Sequence, residues 1–337
     1  MPDSSYLSPL KNKYPYMQMN MMSKPRKRRL PLKIYDCFTN ARFGGNMGGL
    51  VLDAGLLADA EMQAIAKEIN VPVTGFVTAI DVDAVQVKFF MPTAEIPMCS
   101  HVTVGLYTYL HEQGLAGDEG GKSPLLKTSS GNTQVSTTVL SGGEIVVMMN
   151  LGCVVIEKCE VSRELVAEAL RINQLAIRTD LPMEIGATGL RHLFVPLSDL
   201  NTLENMRPDF SALTALSEQL SVETIAPFSM QTQVIDNTFH CRDFCPALGV
   251  NEVPASGTTN SALSGYLIEN KVVNTADGKA TINMLAEQGY ELGRPSILKI
   301  EIEMNHGEIT QIRIGGSAVL SIDGIINAWQ INNSAIS

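Results

Sequence analysis

The amino-acid sequence predicts an α+β protein built as two related domains, on three observations. Strand-like alternation outweighs helical periodicity and lacks the regular strand–helix alternation of a doubly wound sheet. The 337 residues suit two domains of about 150 residues each. One segment also occurs twice: Glu95–Leu110 lies without gaps over Glu252–Leu267, with Glu, Pro, Leu, Tyr and Leu identical and Cys99 opposite Ser256. Each copy reads as a loop of proline and small residues running into a helix of about ten residues.

Taken in order, Lys33–Phe38 and Gly48–Leu52 read as strand partners around the turn-rich stretch 42–47. Leu57, Met62, Ile65, Ala66 and Ile69 follow helical spacing, and Val85, Val87 and Phe89 alternate as a half-buried strand. Ser141-Gly142-Gly143 joins Thr133–Val139 to Glu144–Asn150 as a hairpin. Ser162 caps a helix through Leu170, His192–Val195 is a strand, and Phe210–Leu220 is a helix. Strands are then expected at Thr224–Phe228, Gln231–Ile235 and Phe239–Phe244, and finally at Ile297–Glu303, Thr310–Ile314 and Ala318–Ile322.

Composition narrows the function. With 45% hydrophobic and 18% charged residues, the chain is no disordered protein. No apolar run reaches the about 18 residues of a membrane span, and no secretory h-region opens the chain, so a cytoplasmic protein without membrane contact is expected. The net charge of −10 is uneven: residues 1–30 carry seven basic side chains against Asp3, and the remainder nets −16. A body that acidic excludes a nucleic-acid partner. The basic segment 1–30 reads as a disordered, solvated extension; Lys24–Arg29 leaves a nuclear address open, and Met17, Met19, Met21 and Met22 offer later starts. The six cysteines read as reduced thiols, and His240, Cys241 and Cys245 are too few for zinc. No metal or cofactor is expected. Gly44–Gly49 lacks the spacing of a phosphate loop and reads as a turn.

The repeat suggests the chemistry. Two helix N-termini offer free N–H groups and positive dipole ends. If the domains pair about a pseudo-two-fold, both loops face one cleft and cradle a carboxylate, with Cys99 and Ser256 on opposite sides. A thiol beside a helix N-terminus has a lowered pKa and as thiolate can take a proton next to a carboxylate, and His101 stands two residues on, placed to donate or relay it. This points to proton abstraction α to a carboxylate. The plainer alternatives are a core cysteine at 99, a capping His101, and Ser256 and Thr258 as ordinary N-cap residues.

Several segments together resemble the phenazine-biosynthesis PhzF-like family, related to diaminopimelate epimerase: Tyr35–Thr39 with Gly45-Asn46, Phe90–Gly105, Phe244–Gly249, Glu252–Gly257, Gln288-Gly289, Gly293–Ser296 and Gly316–Val319. The resemblance implies two pseudo-symmetric epimerase-like domains, each a mostly antiparallel barrel-like sheet around a central helix. One would comprise 31–152 plus 325–337, the other 153–324, with the active site between them and a homodimer as the assembly. It implies cofactor-independent proton-shift chemistry on a small carboxylate-bearing substrate. It nominates Cys99, His101 and Ser256 as catalytic. Asn46, Thr74, Ser100, Val102, Thr188, Gly257, Thr258 and Thr259 are the expected substrate contacts. Arg191, His192 and Arg294 are cationic candidates for a second acidic group, although salt bridges to structural acids suit the arginines better.

The departures fall on the chemistry. Val73 stands where the family has its proton-shuttling Glu, Val253 where it has Asp, and Ser100 replaces the Gly of Cys-Gly-His. Cys99 then becomes the candidate base. The alternatives are a dehydratase of a hydroxylated amino acid such as 3-hydroxyproline, by analogy with proline-racemase relatives, and a catalytically silent protein that binds a small acid or another protein.

Overall fold

The computed structural model describes residues 27–117, 123–274 and 279–329. The first half runs β1 (Lys27–Cys37), β2 (Asn46–Val51), α1 (Asp59–Ile69), β3 (Val73–Ile80), β4 (Ala84–Phe90), β5 (Glu95–Ile96) and α2 (Ser100–Glu112). Four short strands follow: β6 (Leu125–Thr128), β7 (Gly131–Thr133), β8 (Val135–Val139) and β9 (Ile145–Gly152). The second half begins with β10 (Val155–Lys158), α3 (Arg163–Leu170), β11 (Glu184–Ala187), β12 (Arg191–Pro196), α4 (Leu200–Asn205), α5 (Phe210–Leu220) and β13 (Thr224–Ser229). It continues through β14 (Phe239–Cys241), β15 (Phe244–Cys245), β16 (Val250–Glu252) and α6 (Gly257–Glu269). The chain closes with β17 (Lys279–Gln288), β18 (Ser296–Asn305), β19 (Glu308–Gly316) and β20 (Ala318–Trp329).

The described strands form two sheets. The smaller runs β20-β1-β2-β3-β4-β6-β7, with β5 on β4; the larger runs β10-β11-β12-β13-β14-β17-β18-β19-β9-β8, with β15 on β13 and β16 on β15. Pairing is mostly antiparallel. Each half nevertheless contains two parallel pairs bridged by helix, β2/β3 across α1 and β4/β6 across α2 in the first, β12/β13 across α4 and α5 and β14/β17 across α6 in the second, which extends the repeat beyond its sequence identity. The duplication is sharpest in the central helices. Both α2 and α6 have 13 residues, and both begin from an extended cap residue, Cys99 and Ser256. Both also end on the same two-carbonyl cap, at Gln113 and Asn270.

Each central helix is wrapped by strands: α2 by β1, β2, β3, β8, β9, β19 and β20, and α6 by β10, β11, β12, β18 and β19. One continuous apolar core encloses both, including Tyr107 and Leu110 on α2 and Leu263 and Tyr266 on α6. The outer face of the smaller sheet is covered by α1 through Met62 and Ile65 on Phe76 and Phe90. On the larger sheet, α3 and α5 bring Val166, Leu170, Leu213 and Leu216 onto Leu193 and Ile225. No helix among the described residues is long and apolar enough to cross a membrane.

Three expectations change. Residues 1–26 of the basic extension, and 330–337 at the other end, lie outside the described residues; residues 27–30 are no extension, because they open β1 and ladder onto β20 from Lys27↔Trp329. The chain returns to the first half at Ala318 and not at 325, since β20 pairs with β1 from Cys37↔Ala318 onward. Strands β8 and β9 pack on α2 although β9 ladders onto β19, so strand pairing runs across the expected boundary at 152/153.

The third change is Gln231–Ile235, which is no strand. Its backbone turns around a buried carboxylate: Gln233 and Val234 donate N–H to Glu287 at 2.7 and 2.8 Å, and Asn237 Nδ2 adds a third bond at 2.7 Å. Fixed charge with three donors outweighs a weak alternating pattern. Glu287 also meets His240 Nδ1 at 2.8 Å, and Glu291 meets Nε2 at 3.0 Å. Burial pulls the His240 imidazole down, but the two carboxylates outweigh it and lift it to about 9, while the bond from His240 helps hold Glu287 below its ordinary range despite its own desolvation. The folded chain therefore keeps a proton on His240 that the unfolded chain releases above pH 6.5. Thermal stability is expected to be full below pH 6.5 and to fall as pH rises toward about 9. In a pH series of melting curves, His240→Gln should remove that alkaline fall; an unchanged slope would show that His240 is not its source.

Candidate active site

The two central helices meet end to end. An ideal Cβ on Gly257, the first residue of α6, would stand 2.3 Å from Ser100 Oγ, the first residue of α2. Any side chain at 257 collides there. The serine hydroxymethyl thus occupies the space glycine leaves, and the two sets of unbonded N-terminal N–H groups converge on one place.

On the α2 side, Cys99 Sγ lies 3.2 Å from His101 Nδ1. Both residues are buried, at 6% and 7% exposure. Burial pushes the Cys99 thiol up to about 12, against the favourable N–H groups of Val102 and His101. Burial likewise draws His101 down to about 4, although its ring bonds the Met47 carbonyl. The pair is therefore a neutral thiol beside a neutral imidazole.

On the α6 side, Ser256 Oγ accepts from Thr259 N at 3.3 Å, meets Thr258 Oγ1 at 3.2 Å, and lies 2.8 Å from Thr259 Oγ1. Behind it stands a buried polar group that sequence reading did not find. Thr259 Oγ1 is 2.8 Å from Asp243 Oδ2 and 3.2 Å from His192 Nδ1, which is 2.8 Å from Thr224 Oγ1. Asp243 Oδ1 and His192 Nε2 are buried without a hydrogen-bond partner. The only hint in the sequence was an acid inside the strand expected at Phe239–Phe244.

The loops leading to these caps are fixed by charge. Arg242 holds Glu252 bidentately through Nε and Nη2, at 2.8 and 2.7 Å, and its buried Nη1 bonds the Leu203 and Met206 carbonyls. Gln288 takes Ser256 N and Asn260 Nδ2 on its carbonyl oxygen. Arg294 reaches across to the first half, bonding Gly45 O and Asp36 Oδ1, both at 2.7 Å. Position 45 requires glycine, because at its positive φ of 60° a Cβ would fall 2.2 Å from the Cys37 carbonyl oxygen.

The expected substrate contacts divide. Asn46 is buried, donates to the Ala255 carbonyl at 2.8 Å and leaves Oδ1 unpaired. Thr74 is fully buried with its hydroxyl unpaired. Thr188 donates to the Thr258 carbonyl at 3.0 Å, and Ser100, Gly257 and Thr258 stand at the helix ends. Two turn their side chains elsewhere. Val102 spends its side chain on Gly48 and Gly75 of the sheet, and Thr259 turns its hydroxyl back toward Asp243. The cationic candidates are also accounted for: Arg191 pairs with Glu157 and Arg294 with Asp36. His192 is corrected outright, because burial draws it down to about 3 and leaves no charge. Val73 lies buried opposite Gly48, and Val253 donates its N–H to the Asp243 carbonyl. His240 serves Glu287 and Glu291, and Cys241 Sγ bonds Asn260 Oδ1 at 3.3 Å.

Comparison with known proteins bears on this geometry. The profile of the phenazine biosynthesis-like protein family, PhzC-PhzF, matches residues 35–324. An uncharacterized isomerase of Deinococcus radiodurans is 32% identical over 292 residues, covering 86% of this chain and 92% of its own. The crystal structure of the Bacillus anthracis PhzF-family phenazine biosynthesis protein superposes with a TM-score of 0.81 at 26% identity, over 89% and 99% of the chains. A hydroxyproline epimerase of Agrobacterium vitis, at 13% identity and a TM-score of 0.59 over 90% and 93%, shares the fold.

The helix-end contact makes a double-mutant test. Gly257→Ala should destabilise by about 1–3 kcal/mol through overpacking, and Ser100→Gly in the same chain should restore most of the loss, as read by urea denaturation. Strictly additive effects would show that the two residues do not touch.

Proposed function

The chain belongs to the phenazine biosynthesis-like protein family, and from that premise we propose that it is an isomerase-type enzyme moving a proton α to the carboxylate of a small amino or hydroxy acid. One observation carries the reading: two matched helix N-termini converge on one point, each with a proton-bearing side chain at its cap. Convergent N–H groups and positive dipole ends suit an anion, and a carboxylate held there acidifies its own α-carbon by drawing off enolate charge. Cys99 and Ser256 then stand on opposite faces of that carbon.

Cys99 gives or takes the proton on its face with His101 as its partner. Neither ionises alone at neutral pH, but transfer from Sγ to Nδ1 creates a thiolate and an imidazolium at contact distance, whose attraction offsets part of the desolvation of each. This arrangement does without a carboxylate at 73. The isomerase names among relatives support the class of reaction; the substrate within the class is set by side chains around the cap loops, with Asn46, Thr74 and Thr188 the nearest unspent or backbone-facing polar groups.

The test is exchange of the α-proton in deuterium oxide, followed by NMR with both enantiomers of a panel of small amino and hydroxy acids, hydroxyprolines included. Exchange is expected for at least one acid. Cys99→Ala should slow it by about 10²-fold or more for the enantiomer whose α-proton faces the thiol. Undiminished exchange from both enantiomers would remove Cys99 from the mechanism, and an unsaturated product in the same spectra would mark a dehydratase.

A further inference from the structure

Serine is a poor acid and a poor base on its own, so the α6 face needs a second group if it is to handle a proton. The structure holds one. Asp243 is buried on the bend between β14 and β15, 2.8 Å from Thr259 Oγ1, which is in turn 2.8 Å from Ser256 Oγ. Its backbone carbonyl takes the N–H of Val253, so the acid absent from 253 has a counterpart on the adjoining strand. Its second oxygen, Oδ1, is buried without a partner. Resting on the reading above, we propose that Asp243 is a positioning residue that exchanges a proton with the substrate through Thr259 and Ser256.

Proton counting makes the relay directional. Thr259 has one hydroxyl proton for two oxygen neighbours. When Asp243 is ionised, Thr259 donates to it and receives the proton of Ser256, so the serine lone pairs face the substrate. When Asp243 is protonated, the chain reverses and the serine proton points outward. In the forward step the substrate C–H breaks and its proton bonds Ser256 Oγ. The proton of Ser256 moves to Thr259 Oγ1, and the proton of Thr259 moves to Asp243 Oδ2. The bonding pair stays on the α-carbon, and one negative charge passes from Asp243 to the substrate. No other reactant is needed.

The surroundings suit this task. Desolvation lifts Asp243 to about 6, against the pull of the nearby Thr224, Thr259 and Ser256 hydroxyls and with Glu252 adding to the rise. The other groups facing it are His192 on β12, which is neutral, and the thiols of Cys241 and Cys245, which burial and the Asp243 charge both push up. Arg242, its neighbour in the chain, is committed to Glu252 and is not left to neutralise Asp243. The carboxylate is thus free to change charge near neutrality.

The test uses the full chain carrying Ser256→Cys, with iodoacetamide alkylation at that position followed by peptide mass across about pH 5–9. With Asp243 ionised the introduced thiol should resist ionisation. Adding Asp243→Asn should shift the profile down by about one pH unit, about a tenfold faster alkylation near neutrality. Thr259→Val should abolish the original profile and Thr259→Ser should keep it. Superimposable profiles with and without Asp243→Asn, or no effect of Thr259→Val, would overturn the relay. Asp243→Asn and Thr259→Val are separate routes to the same answer should one chain fail to fold. The readout needs no substrate: absent exchange with every acid in the panel would count against the proton-shift reading alone, while the thiol profile still decides the relay.

Discussion

The close contact of Ser100 with Gly257 is the constraint on which the rest of the structure depends. Both central helices are enclosed by strands, and α6 is buried on nearly every side from Gly257 to Ile268. A helix buried all round has no solvent to satisfy its ends. Its polar residues must find partners inside: Ser264 bonds the Asn260 carbonyl, and Asn260 bonds both Ser256 O and Gln288. The N-terminal N–H groups remain, and they can be stabilised together only where the two helices point at one another. The anion site we propose would follow from the burial of two helices whose first turns converge.

Around that point the molecule spends its buried charges. Arg242 with Glu252, Arg294 with Asp36, and His240 between Glu287 and Glu291 all lie on segments that deliver a cap loop or the turn beside it. Buried pairs of this sort are poor sources of net stability, because desolvation consumes much of their attraction, whereas losing one partner is costly. Their value here is register. Arg294 and Asn46 both cross between the halves, the first to Gly45 and the second to Ala255, so the two loops are tied to each other beside the helix ends.

What the sequence made legible is what is local. The 157-residue offset between the two copies is kept by the caps themselves, and helix starts obey nearby residues: Ser162 caps α3 as its position suggested, through Leu165 N at 3.4 Å. Pairings that join distant segments were not legible. β20 finds β1 across almost the whole chain, and Gln231–Ile235 yields its alternating pattern to a carboxylate at 287. His192 looked like a cation because residue type carries no information about burial. Asp243 stayed hidden because its neighbours come from β12, β13 and the start of α6, and no spacing rule connects them.

The two faces of the site are chemically unlike, and this gives proton flow a direction. On the Cys99 face both partners begin neutral, so the thiol starts with a proton to give, and taking one first requires an ion pair with His101. On the Ser256 face the reserve is a carboxylate ionised above about pH 6, so it starts ready to accept. On the proposed relay, an acid bound between the helix ends would lose its α-proton most readily toward Asp243 and regain one from Cys99. The return trip begins from the opposite charge state, a thiolate beside a neutral imidazole and a protonated Asp243, and each turnover in one direction sets the site for the other. Where the substrate carries a leaving group on the β-carbon, the carbanion formed on the Asp243 face can expel it before Cys99 delivers its proton, so the rate of that delivery separates an isomerase from a lyase within one arrangement of residues.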